Sequence, residues 1–178
     1  MKDRQFVKGD YVVYGTNGIC MIEDVKPLSF ASGVEKSTYF ILKPASNPVS
    51  TIFVPMKNEK LRSKMRDLMT KDEIDALLLG MKDTEYDWES DRRIRAENFH
   101  DILAEGVDQK LLIMIRGIYI KKRSLMEEGK KLPATDSNTL KAAEKLVEEE
   151  FAYALDIPQS DVGKYIRDLL GIHEDDED

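Results

Sequence analysis

Tyr11-Val12-Val13-Tyr14, Gly18-Ile19-Cys20-Met21-Ile22, Thr38-Tyr39-Phe40-Ile41-Leu42 and Ser50-Thr51-Ile52-Phe53-Val54 are short runs rich in β-branched and aromatic residues. Gly9-Asp10, Gly15-Thr16-Asn17-Gly18, Ala31-Ser32-Gly33 and Asn47-Pro48 punctuate them. Runs of this composition separated by turn formers read as strands, so residues 6–56 read as β structure. Pro55 ends the last strand, because proline has no amide to give to a ladder. Four or five short strands in so small a span predict a small barrel, since closing the sheet removes exposed edges. The aromatics Tyr11, Tyr14, Tyr39, Phe40 and Phe53 fit its core. The period-2 pattern also places Ile52 on one face of the fourth strand and Thr51 and Phe53 on the other. An exposed Phe53 on an edge strand would suit pairing with a strand of a partner.

Beyond residue 60 the pattern changes to helical spacing. Thr70-Lys71-Asp72-Glu73 is a capping box, in which the Thr70 hydroxyl takes the Glu73 amide and the Glu73 carboxylate returns to the Thr70 amide. It starts a short helix ending near Gly80. A second helix is expected from Asp87 to Ala104, stopped by Gly106. A third begins after Asp108, with Leu111, Ile115, Ile118 and Leu125 at helical spacing, and stops at Gly129 and Pro133. A fourth starts near Asp136 with the stripe Leu140, Ala143, Val147, Phe151 and Ala154. Ile157-Pro158 breaks it, and Ser160 is the expected cap of a final helix carrying Tyr165, Ile166, Leu169 and Leu170. The change of pattern predicts an α+β chain of two domains, residues 1–58 and 64–172, followed by a disordered acidic tail at 173–178.

Composition narrows the function classes. The chain has 178 residues, 42% hydrophobic and 34% charged, which is the balance of a soluble globular protein. No apolar run approaches the ~18 residues of a membrane span. Met1-Lys2-Asp3-Arg4-Gln5 leads straight into a strand pattern without an apolar leader, and a single cysteine fits a reducing compartment, so a cytoplasmic protein is expected. A net charge of −7 argues against a protein that coats nucleic acid non-specifically, although Glu174-Asp175-Asp176-Glu177-Asp178 supplies five of those charges. The run Lys121-Lys122-Arg123 is a local basic patch or a helix C-terminus stabilised by cations.

No catalytic constellation can be assembled. The two histidines, His100 and His173, have no Cys or His at metal-ligand spacing, and Cys20 lies in an apolar strand where an inert buried thiol is expected. Gly129-Lys130-Lys131 lacks the upstream glycine and following hydroxyl of a phosphate loop. Glu148-Glu149-Glu150 distributes its carboxylates around a helix. The chain therefore reads as a non-enzyme without cofactor, metal or small-molecule substrate.

Trp88, the only tryptophan, stands in Tyr86-Asp87-Trp88-Glu89-Ser90-Asp91, just before Arg92-Arg93-Ile94-Arg95. On a helix starting at Asp87, residues 88, 92, 95, 99 and 102 share one face. Two readings follow. Trp88 either caps the core beside Phe99 and Ile102 with the arginines snorkelling outward, or acts as an aromatic wedge on a base step with arginines on flanking phosphates. Asp87, Glu89 and Asp91 would repel phosphates, but acids also suit a helix N-terminus.

Phe6-Val7-Lys8-Gly9-Asp10-Tyr11-Val12-Val13-Tyr14, Gly18 to Ile22, Tyr39-Phe40-Ile41-Leu42-Lys43 and Phe53-Val54-Pro55 together resemble the CarD/CdnL family of bacterial transcription regulators. Trp88 with Arg92-Arg93, and Leu132, Leu140 and Glu148 to Ala152, resemble that family's helical C-terminal domain. The resemblance implies an N-terminal Tudor-like or SH3-like barrel, of the kind shared with transcription-repair coupling factor, that binds the RNA polymerase β subunit. It implies a helical domain that contacts promoter DNA at the upstream edge of the bubble and stabilises the open complex. The implied DNA-contacting set is Trp88 in the minor groove, Arg92, Arg93 and Arg95 on phosphates, and Ser137 and Asn138 at a helix N-terminus. The implied polymerase-contacting set is Leu28, Phe30, Thr51 and Phe53. Leu28 and Phe53 stand where relatives carry arginines, and Ser137 stands where they carry a lysine. A monomer is expected. The alternative is a Tudor-like peptide reader with a helical scaffold and no DNA contact.

Overall fold

Val12, Tyr14, Cys20, Ile22, Phe40, Leu42 and Val54 point to one face of their strands, and in a computed structural model they meet in one core joined by Met65, while Val13, Ile19 and Ile41 on the other face are buried as well. The structure describes residues 5–30, 35–81, 84 and 86–171. The strands are β1 (Tyr11–Tyr14), β2 (Ile19–Leu28), β3 (Ser37–Pro44), β4 (Ile52–Pro55) and β5 (Met65–Arg66). All pairs are antiparallel, in the order β4-β3-β2-β1-β5. Among the described residues the ladder ends at β4 and β5, so the expected small barrel is seen as a five-stranded antiparallel sheet. The β1–β2 connection is a 3-10 turn at Gly15–Asn17, with Gly15 and Gly18 at φ 48° and 63°, where a side chain would be strained. The β2–β3 register shifts between Ile22 and Asp24, an irregularity of the bulge type that bends a strand.

β5 corrects the expected domain boundary. Val13 pairs with Arg66 and Tyr14 with Met65, so residues expected in the helical domain at 64–172 complete the sheet. The chain divides instead into the units Met1–Leu68 and Met69–Asp178. Ahead of β5, the short helix α1 (Glu59–Arg62) is capped by Asn58, whose side chain accepts the Leu61 amide at 3.1 Å. The expected turn at Ala31-Ser32-Gly33 and the acidic tail at 173–178 lie outside the described residues.

The second unit contains α2 (Lys71–Gly80), α3 (Arg92–Glu105), α4 (Asp108–Glu127), α5 (Ala134–Leu155) and α6 (Val162–Leu170). Its core is built from the expected stripes: Leu111 and Ile118 on α4, and Leu140, Ala143, Val147 and Phe151 on α5, against Ile74, Leu78, Phe99 and Val162. The Thr70 capping box forms as read, with both reciprocal bonds present. Three helix starts differ from expectation. α3 begins at Arg92 because Asp91, not a residue near Asp87, accepts the Arg93 and Ile94 amides at 2.8 and 3.0 Å. α5 begins at Ala134, following Pro133, two residues before Asp136. Ser160 does not cap α6; it lies in the 3-10 turn Gln159–Asp161 with its hydroxyl on the Asp161 carboxylate at 3.1 Å.

Two polar tethers close this unit. The buried Glu150 carboxylate on α5 accepts the Met69 amide at 3.0 Å, just before α2 begins. At the far end of the chain, Tyr165 on α6 hydrogen-bonds both Lys71 (2.8 Å) and Asp75 of α2, while Lys71 pairs with Asp75 at 2.6 Å. Lys71, then Tyr165, hold the Asp75 carboxyl below its usual range.

Thr70→Ala removes one side of the capping box and should destabilise the helical unit by about 1 kcal/mol in urea titration followed by circular dichroism. A depressed folded-state pKa gives Asp75 a stabilising contribution that is full above the unfolded carboxyl value and lost as pH falls through the folded value. Asp75→Asn should therefore lower stability at neutral pH and flatten its decline on acidification, measured as the urea midpoint against pH.

Candidate functional site

Residues 86–91, just before α3, have no regular secondary structure. Trp88 thus does not share a helix face with Arg92, Arg95, Phe99 and Ile102; it reaches the same neighbourhood from an irregular segment. Its ring is half-buried and packs edge-on against Phe99, with centroids 6.2 Å apart at 71°. Tyr86 completes an aromatic cluster at 6.3 Å from both rings, and burial pushes the Tyr86 phenol upward. The Arg95 guanidinium carbon lies over the indole, 4.7 Å from its centroid.

Arg95 is the residue whose placement departs furthest from expectation. It is 3% exposed, and Asp136 is 2% exposed. Nη2 of Arg95 donates to Asp136 Oδ2 at 3.0 Å and Nε to Oδ1 at 3.5 Å. Nη1 donates to the Glu89 and Ser90 carbonyls at 2.8 and 3.3 Å. A guanidinium so enclosed and so fully engaged cannot reach a phosphate, which corrects its assignment to the DNA-contacting set. Arg92 and Arg93 remain exposed, and their side chains form no ion pair among the described residues. The neighbouring acids serve locally: Asp91 caps α3, and the Glu89 carboxylate accepts the Asp91 amide at 2.8 Å.

The Arg95–Asp136 pair also brings the first turn of α5 to the first turn of α3. Ser137 and Asn138 directly follow Asp136 in that turn of α5. Their expected mode of contact changes, because the Ser137 amide already donates to the Pro133 carbonyl at 2.9 Å. Ser137 is half-buried and Asn138 exposed, so side-chain contact is what they offer. Sequence reading missed Asp136 because nothing local marks it as the partner of an arginine 41 residues away.

The first unit carries a separate feature. Phe30 and Phe53, 63% and 41% exposed, meet edge-on with centroids 5.2 Å apart. Phe30 packs in the same way on Tyr39, also at 5.2 Å. These rings lie on the outer side of the β3–β4 pair, with Ile52 and Val54 turned to the core as the alternation requires. Thr51 accepts a hydrogen bond from Lys43 Nζ at 2.6 Å, and Leu28 ends β2, half-buried and paired with Ser37. Tyr39 was expected in the core; it alternates with the inward-facing Phe40 and so falls in the outer cluster, a signal present in the period of β3.

Among the described residues, no group of three His, Cys, Asp or Glu side chains is placed to hold a metal, and no helix is long and apolar enough to cross a membrane. Residues 6–69 match the family model of the CarD-like/TRCF RID domain. The antiparallel sheet is thus an RNA polymerase-interacting domain of the CarD-like type, with a helical region after it. No curated protein matches the chain.

Asp136→Ala would leave the Arg95 charge buried without its carboxylate and should destabilise the helical unit by about 3–5 kcal/mol in urea titration. Replacing both partners, Arg95→Met with Asp136→Leu, should recover most of that loss.

Proposed function

We propose that this protein is a bacterial transcription regulator that grips the β subunit of RNA polymerase through its sheet and holds promoter DNA open through its helical unit. One observation carries the reading: an RNA polymerase-interacting domain is followed by a unit whose single tryptophan is held at a helix junction beside two exposed arginines. The Phe30–Tyr39–Phe53 cluster next to the terminal strand β4 supports the polymerase contact, because strand addition supplies main-chain bonds and outward aromatics supply buried area. Leu28 and Thr51 flank that surface.

On the DNA side, Trp88 would stack on a distorted base step, Arg92 and Arg93 would hold phosphates, and Ser137 and Asn138 would contact the backbone. Arg95 supports the indole. The effect on transcription is energetic: promoter melting is close to balance, so a contact made only with opened DNA and worth ~1.4 kcal/mol shifts it tenfold. The net charge of −7 makes free DNA binding weak, and tethering to polymerase supplies the missing effective concentration. The packing of Trp88 on Phe99 is the observation that favours the other reading, an interaction module without DNA contact.

Trp88→Ala should leave co-purification with polymerase intact and shorten the lifetime of the open promoter complex, read by competitor challenge. An unchanged lifetime would remove the DNA role and leave the interaction-only reading. Phe53→Asp should abolish co-purification with polymerase and with an isolated β-subunit lobe while leaving the helical unit folded.

A further inference from the structure

The segment bearing Trp88 lacks secondary structure, yet it is fastened at three points. Tyr86 lies against the middle of α4 at Gly117, where an added Cβ would stand 2.4 Å from two of its ring carbons. Only glycine admits the ring there, although a glycine inside a helix weakens it. Trp88 is covered by Arg95 and edged by Phe99. The carbonyls that follow it, of Glu89 and Ser90, are both taken by Nη1 of Arg95, the nitrogen that Asp136 does not use.

A buried ion pair serving stability alone could be replaced by apolar residues without loss. This one divides its donors between a carboxylate and the backbone of the tryptophan segment, and lays its plane over the indole. Arginine alone among cations offers a flat stacking surface and a fork of donors together.

We propose that Arg95, oriented by Asp136, is a positioning residue for Trp88, and that Gly117 is a second one acting through Tyr86. Together they hold the indole in one orientation before DNA arrives. The ordering that a free side chain would undergo on contact is already complete, which strengthens binding without a further DNA contact. The proposal rests on Trp88 being the DNA-contacting group.

Two variants test it in the full chain. Arg95→Lys keeps a charge opposite Asp136 but loses the stacking plane and the forked grip on Glu89 and Ser90. Gly117→Ala favours α4 locally but displaces Tyr86, and it decides the question if Arg95→Lys does not fold by circular dichroism. Because Trp88 is the only tryptophan, its emission reports directly: both variants should red-shift it and increase iodide quenching. Both should shorten the open-complex lifetime by about fivefold, the scale of one partly desolvated cation–π contact, with polymerase co-purification unchanged. In a Trp88→Ala background neither should shorten it further.

Unchanged emission, or shortening that persists without Trp88, overturns the positioning roles while leaving the DNA reading intact. No effect of Trp88→Ala alone removes the DNA reading, and the positioning proposal with it.

Discussion

The helical unit is organised around an ion pair that water barely reaches. Arg95 stands in the first turn of α3, where the helix dipole disfavours a cation. Asp136 stands in the first turn of α5, where the dipole favours an anion. Bringing the two together offsets the unfavourable term on one helix and uses the favourable one on the other. It also fixes two helix N-termini side by side and clamps the carbonyls of Glu89 and Ser90. A pair so desolvated is weak evidence for stability as such. Its evident effect is geometric, since Arg95 ties the first turn of α5 to the Glu89 and Ser90 carbonyls and to the face of Trp88.

The two candidate surfaces are made in different physical ways. In the sheet, alternation alone decides which aromatics face out, so Phe53 on β4 and Tyr39 on β3 share a side while Phe40, Ile52 and Val54 fill the core. Such a surface is a by-product of strand register and needs no special scaffold. In the helical unit the tryptophan segment has no regular backbone to orient it, and side-chain contacts from α3, α4 and α5 replace that regularity. The acids around Trp88, unwelcome near phosphates, are largely explained by local duties: Asp91 caps a helix and Glu89 secures the Asp91 amide.

Much of the architecture was legible from sequence. The capping box at Thr70, the stripes on α4 and α5, and the strand runs at Tyr11, Ile19, Thr38 and Ile52 all carry short-range signals of period or turn chemistry. What escaped lacked such signals. β5 has two residues, too few to show alternation, and pairs with a strand some 50 residues earlier. The start of α3 was misplaced because Asp87 and Asp91 are both competent caps and only tertiary packing chooses between them. The burial of Arg95 was invisible for the same reason: its partner is remote, and an arginine two positions after Arg93 looks like part of an exposed basic run. Phe53 was legible from strand alternation and Phe30 through resemblance, but the contact of the two rings with each other and of Phe30 with Tyr39 required coordinates.

The tie between Glu150 and Met69 spans 81 residues, whereas the sheet is complete once β5 has paired with β1. During synthesis the first unit has every strand it needs when residue 66 clears the ribosome. The second cannot secure its own first residue until most of α5 has emerged. Translation at about 5–20 residues per second separates these events by several seconds. The polymerase-interacting domain is then a finished object while the tryptophan platform is still open chain. The order of synthesis thus lets the sheet finish folding while the helical unit still waits for its closing contact.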